Sequence, residues 1–270
     1  MDIAIGFDIA LEVTGPSLML GCLSVHPSAV PLLLSPEQFR ITPALAHTQY
    51  SDGFGNQVTH ISIPSGTSVV RLQSSAVVRS DGQPDHEPSH AAVCSVQALP
   101  PPVLQFLLPS RYCDFDGELL EFAWQTFGAV APGWALVRAI SDYVHQHIRF
   151  DYALARPTRS AADGWREGVG VCRDYAHLAV ALCRSMNLPA RYATGYLGDI
   201  GVPPVPSPMD FSAWFQVYLG GKWHTWDARH NVPRIGRVLM ATGRDAADVP
   251  ITMVFGNNQL QHFSVTTHEV

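Results

Sequence analysis

The stretch Gly168-Val-Gly-Val-Cys172-Arg-Asp-Tyr-Ala-His-Leu-Ala-Val-Ala-Leu-Cys183-Arg-Ser-Met-Asn187 decides the fold. A glycine-containing turn leads into a helix over residues 172–187, and Pro189 closes it before a strand over 190–197. Leu178, Ala179, Val180, Ala181 and Leu182 make the helix apolar on nearly all sides, which is the pattern of a buried helix. Cys172 stands at its first position. The unpaired N–H groups and the macrodipole of a helix start stabilise an anion there. A thiol so placed is expected to have a lowered pKa, and the same N–H groups can hold the oxyanion of a tetrahedral intermediate. The position suits a nucleophile; the competing reading is an inert buried cysteine. Cys183 falls in the apolar run and reads as structural, and Cys22, Cys94 and Cys113 have no activating context.

Downstream, Gly198 to Pro208 is a loop with four prolines. Phe211 to Leu219 and Lys222 to Asp227 are strand-like runs around Gly220-Gly221, the signal of a two-residue hairpin turn. In that register Leu219 faces Lys222, and side chains at 212, 214 and 216 share a face with Asp227. Ser212 and Asp227 become diagonal neighbours, within side-chain reach. His224 pairs with Val217 and points to the other face. The alternative for Asp227 is a purely local role, bonded to nearby backbone or to Arg229.

Upstream, Ile3, Ile5, Phe7 and Ile9 alternate with Ala4, Gly6 and Asp8 at a period of two. Residues 58–63 and 69–78 are also strand-like, with a turn at Asp52-Gly-Phe-Gly-Asn56 between the first strand and these. Residues 81–102 hold Pro84, Pro88 and Pro100-Pro101-Pro102 and read as a linker. Helices are expected over 117–127 and 134–148. The division expected is a β-rich domain over 1–100 and a second domain over 101–270.

The motifs Gly170-Val-Cys172-Arg-Asp-Tyr-Ala-His-Leu, Leu-Pro-Ala-Arg191-Tyr-Ala-Thr-Gly195-Tyr, Phe211-Ser-Ala-Trp214-Phe-Gln-Val-Tyr218 and Trp223-His-Thr-Trp-Asp227-Ala-Arg come in the order found in the bacterial transglutaminase-like superfamily. The chain resembles that family strongly over residues 130–235, and its first hundred residues resemble more loosely the β-rich region that often precedes such cores. The resemblance implies an α+β fold: a papain-like transglutaminase core, with a helix packed on an antiparallel sheet, preceded by a β-sandwich-like N-terminal domain. It also implies a Cys thioester formed with a carboxamide or peptide carbonyl and resolved by water or an amine. Cys172 would be the nucleophile and Asp227 the orienting acid.

One position departs from the family pattern, His-Ala-Trp. Here it reads Ser212-Ala213-Trp214. A serine hydroxyl has no useful basicity near neutral pH and cannot take a thiol proton as imidazole does. His230, three residues past Asp227, is the foremost substitute base, provided that a loop before Pro233 turns it inward. His177 lies on the helix of Cys172 and about 140° around its axis. His145 and His147 alternate on an earlier helix and make a poor metal pair. Trp214 is a candidate for lining a substrate cleft, against the alternative that it is core. Arg173 and Arg191 could bind a substrate carboxylate or form internal salt bridges.

The chain of 270 residues is 47% hydrophobic and 15% charged, with net charge −6. A net acidic chain without a Lys/Arg run gives no pull toward nucleic acid or anionic lipid. The start lacks the cationic residues of a secretory signal, no apolar run reaches the roughly 18 residues of a membrane span, and five scattered cysteines fit a reducing compartment. The expectation is a cytoplasmic protein acting on a peptide or protein substrate, without cofactor or metal, with its oligomeric state left open. Two functions compete: a cysteine hydrolase or acyltransferase, and a peptide-binding or scaffolding module whose triad Ser212 has dismantled.

Overall fold

The computed structural model describes residues 1–87, 89–115, 117–205 and 208–270. Pro88 of the linker and residues 206–207 of the proline-rich loop lie outside the described residues.

The first strands are β1 (Asp2–Val13), β2 (Ser17–Gly21), β3 (Gln38–Thr42), β4 (His47–Ser51), β5 (Gln57–Ile63) and β6 (Val69–Arg79). Two more, β13 (Met253–Phe255) and β14 (Asn258–Glu269), come from the end of the sequence. Together they form sheets of order β14-β1-β6-β3 and β13-β2-β5-β4. The period of two predicted for β1 is seen directly: Ile3, Ile5, Phe7 and Ile9 are buried, while Asp8 pairs with Arg71 on the outer side. The strands from the end of the sequence join those of its beginning. β14 pairs antiparallel with β1, and β13 with β2. The last strands therefore complete the sandwich rather than the second unit. Their polar alternation (Asn258-Gln-Leu-Gln-His-Phe263) hid them, since neither strand is buried on a continuous face.

The second unit contains α1 (Pro101–Leu104), α2 (Glu118–Phe127), α3 (Trp134–His147), α4 (Ala161–Glu167) and α5 (Cys172–Ser185). A short parallel pair, β7 (Arg149–Phe150) and β8 (Val169–Gly170), delivers the chain to α5. The antiparallel sheet follows as β9 (Ala190–Tyr196), β10 (Ser212–Leu219), β11 (Lys222–Trp226) and β12 (Val238–Gly243), in the order β11-β10-β9-β12. Gly220 and Gly221 both have positive φ, +57° and +83°, as a two-residue hairpin turn requires. The register predicted from them holds, with Leu219 opposite Lys222 and Val217 opposite His224.

Every residue of α5 from Asp174 to Ser185 is buried. Its apolar side chains share a core with Ile140 and Val144 of α3, Leu119 of α2 and Phe215 of β10. The helix ends two residues earlier than its pattern predicts, because Asn187 takes a left-handed φ of 58°. Arg184 is only 2% exposed and spends its donors on carbonyls. Its guanidinium bonds the carbonyls of Ala190, Leu108 and Arg244 and the hydroxyl of Ser110. One side chain thus ties the end of α5 to β9, to the segment before α2 and to the end of β12.

The two units share packing. Tyr196, Phe211 and Met240 of the second unit enter the same core as Ile3, Phe7 and Leu72 of the sandwich. The turn predicted at 52–56 also crosses over. Asp52 Oδ1 accepts the N–H groups of Phe54 and Asn56, and the buried Asn56 amide exchanges two hydrogen bonds of 2.8 Å with the backbone of Thr242.

Gly195 sits where a Cβ would stand 2.1 Å from the Val238 carbonyl and 3.0 Å from Cη2 of Trp214. Backbone cannot yield there. Gly195→Ala should destabilise the fold by about 1–3 kcal/mol, read as a fall in Tm of roughly 2–12 °C. An unchanged melting curve would show that β9 and β12 are not held this close.

Candidate active site

The turn before Cys172 is built around Asp174. Its Oδ2 accepts the N–H of Val171 at 2.8 Å, capping the helix from the third position. A Cβ on Gly170 would lie 2.5 Å from Cβ of Asp174, so only glycine admits that carboxylate. The Asp174 side chain is buried beside Arg159 at 3.2 Å and Arg173 at 3.6 Å. Its charge is compensated by these two guanidinium groups.

Cys172 is half-buried and packs against the cluster that holds Ala213 of β10. That strand carries the family's usual base position, residue 212. The thiol is pushed up to about 11 by burial, with Asp210 and Asp227 adding repulsion; Arg229 and the Ala213 N–H oppose this. The direction is opposite to the one expected from the helix start, and burial is its largest cause. Cys183, Cys22 and Cys113 are fully buried with raised thiols, in line with inert packing.

Ser212 opens β10, pairs with Gly195 and is 5% exposed. Its hydroxyl has no hydrogen-bond partner among the described residues. The expected contact with Asp227 is not made. The β10–β11 ladder stops at Phe215 opposite Trp226, and the chain turns immediately afterwards. Asp227 drives that turn: its Oδ1 accepts the N–H groups of Arg229 and His230, both at 3.0 Å. Its Oδ2 takes Nδ1–H of His230 at 2.8 Å and Nη2–H of Arg237 at 2.7 Å. The partner cation is Arg237 rather than Arg229. With four donors on a side chain 2% exposed, the carboxyl is held far below the usual carboxylate range despite the penalty of burial.

The turn also orients His230. Its Nδ1 faces an acceptor-only carboxylate and therefore carries the proton, which leaves Nε2 with the lone pair. The imidazole is 24% exposed and lines a cleft with Ser212, Arg229, Asp210 and Tyr152. Burial raises the carboxyl of Asp210, although the Phe211 N–H and Arg229 oppose this. Asp210, Asp227 and Arg229 act electrostatically on the Cys172 thiol.

The other histidines are occupied elsewhere. His177 is fully buried, stacked on Tyr112, and accepts the Ala246 N–H. Burial and two arginines hold it well below the usual imidazole range, so it stays neutral. His145 donates to the carbonyls of Ala228 and Arg229, and His147 bonds the Trp165 carbonyl. His224 bonds the Leu219 carbonyl on the far face of the hairpin. Among the described residues no group of three His, Cys, Asp or Glu is arranged for a metal ion. Trp214 is 2% exposed beneath the Arg237 guanidinium, at 5.0 Å, and is not among the cleft-lining residues. Arg191 bonds Gln216 and lies over Trp223, and Arg173 bonds the Arg156 carbonyl.

Arg237, Asp85, Asp210 and Tyr152 escaped the sequence reading. Arg237 was within reach of it: a buried carboxylate demands a cation, and Arg234 and Arg237 are the next ones after Arg229.

A helix with a cysteine at its head, packed on an antiparallel sheet with an Asp–His pair in the turn after its edge strand, is the architecture of a papain-like transglutaminase core. Residues 124–228 match the family described as the transglutaminase-like superfamily, and the chain belongs to it. A candidate cysteine protease of Cytophaga hutchinsonii superposes with a TM-score of 0.86 at 30% identity, over 99% of this chain and 90% of that one. An uncharacterised protein of Mycobacterium leprae (strain TN) is 25% identical over 214 residues, 77% of this chain and 75% of its own length. Another from Mycobacterium tuberculosis (strain H37Rv) is 26% identical over 231 residues, 78% and 72%. None of the helices is long and apolar enough to cross a membrane, among the described residues.

A thiol raised to about 11 is held protonated by the fold. Stability from this group is complete below the unfolded thiol's pKa and is lost as pH rises through about 11. Alkylation of Cys172 by iodoacetamide, followed by mass spectrometry, should have its midpoint above pH 10. A midpoint at the ordinary thiol value of 9.0 or below would show that the thiol is less buried than this.

Proposed function

We propose that the chain is a cysteine acyl-transfer enzyme acting on a peptide or amide bond, with His230 in the role that the family assigns to the residue at position 212. The observation that supports it most directly is the 2.8 Å bond between Asp227 Oδ2 and His230 Nδ1, opening on the cleft that Ser212 lines. Nε2 of His230 takes the thiol proton of Cys172 as the sulfur attacks the substrate carbonyl. The N–H groups at the start of α5 hold the resulting oxyanion. The intermediate collapses to a thioester as the amine leaves with the proton from His230. Water then gives hydrolysis, or a second amine gives transfer; either returns the thiol. In this scheme the thiolate forms only during attack, so a resting thiol at about 11 needs a positioned base rather than a standing ion pair.

A second reading has its own support. A protonated thiol and a serine at position 212 also suit a groove that binds peptide without cleaving it. Turnover separates the two. On a panel of peptide and glutamine-containing substrates, Cys172→Ala should abolish activity. His230→Gln should lower kcat about 10²–10⁴-fold with the fold intact. Binding without any Cys172-dependent turnover would favour the non-enzymatic groove. Ser212→His places a second imidazole in the same cleft; a rise in activity of the His230→Gln protein on adding Ser212→His would show that both positions can serve the thiol.

A further inference from the structure

Asp227 does not end the chain of charges behind His230. Arg237, whose side chain is 7% exposed, reaches Asp227 Oδ2 at 2.7 Å with Nη2 and Asp85 Oδ2 at 2.7 Å with Nε. Asp85 comes from the linker that follows the sandwich strands. It is fixed there by its own backbone: its N–H donates to the Arg234 carbonyl at 2.9 Å, and its carboxylate accepts the Arg234 N–H at 3.0 Å. Four side chains thus run in series, Asp85, Arg237, Asp227 and His230, most of them out of water.

Charge counting gives the series a function. With His230 neutral, two carboxylates against one guanidinium leave a single surplus negative charge. When His230 becomes an imidazolium the series is neutral. Arg237 keeps Asp227 ionised and acceptor-only, yet competes with the imidazolium for the same oxygen. Asp85 offsets Arg237. We infer that Arg237 and Asp85 are positioning residues that set, from opposite sides, the proton affinity of His230. The inference rests on the reading of His230 as the base, but it makes a statement about the imidazole itself.

Other charged groups face His230 as well. Arg229, Arg234, Asp199, Asp210 and Tyr152 line its cleft, and the Cys172 thiol lies within their field. Behind the turn, His145 bonds the carbonyls of residues 228 and 229, and Asp142 bonds Asn231. These groups are common to the protein and to its variants at positions 85 and 237, so differences between variants report the series.

The test is the titration of the His230 imidazole by NMR in the full chain, assigned by its loss in His230→Gln. Asp85→Asn removes a negative charge and should lower the midpoint by about half to one pH unit. Arg237→Gln removes a positive charge and should raise it by about one. Arg237→Lys should return it most of the way, while kcat stays low because an ammonium lacks the two-armed fork that spans both carboxylates. If the enzyme turns over substrate, the acid limb of its kcat/KM profile should follow the same opposite shifts. Shifts of the same sign, or a midpoint unmoved by Asp85→Asn, would overturn the inference. Should Arg237→Gln fail to fold, Asp85→Asn and Arg237→Lys still decide it. A protein without Cys172-dependent turnover whose His230 midpoint moves as stated would sink the proposed activity and leave this inference standing. Turnover with an unmoved midpoint would do the reverse.

Discussion

A carboxylate buried to 2% exposure cannot keep its charge without donors on every side. Asp227 meets that demand with two backbone N–H groups, an imidazole and a guanidinium. Much of the surrounding path follows from it. The strand β11 must stop at Trp226 so that the next residues can fold their N–H groups back on the side chain. The chain must return by residue 237 to bring Arg237 beside it. The linker must pass close enough for Asp85 to balance that arginine. Trp214 then has a guanidinium for a ceiling and the glycine of β9 for a neighbour.

The head of α5 answers a different constraint. A helix start buried in a protein needs its N–H groups met. Asp174 meets one from within the helix, and Arg159 pays the electrostatic cost of keeping that carboxylate there. The cap draws the carboxylate back onto the Val171 N–H. Cys172 packs against the cluster that holds Ala213 of β10.

The parts legible in the sequence were those with a local physical cause. The apolar run of α5, the period of two in β1 and the glycine pair of the hairpin each fix a conformation by themselves, and each stands where expected. The helices at 118–127 and 134–147 agree with their 3.6-residue patterns within a residue or so. What the pattern could not carry were relations between distant segments. β14 is mostly exposed and polar, so nothing in it announces a partner 260 residues away. Strict alternation aimed Asp227 at Ser212, but hydrogen bonding by its own carboxylate ended the strand and took it to His230 instead. The thiol of Cys172 illustrates a further limit: position on a helix predicts the sign of the dipole effect, whereas the depth of burial, which wins, depends on the packing of β10.

The return of β14 to β1 has a consequence for how the protein is made. All the residues of α5 and its sheet lie between 172 and 243 and can assemble as they leave the ribosome. β1, made first, finds β6 early but must wait for residues 258–269 before its other edge is covered. During that interval an open strand of Ile, Phe and Leu is a template for wrong neighbours. The nascent sandwich is the stage of synthesis most exposed to aggregation, and the helix–sheet half of the molecule can be complete before the sandwich is closed.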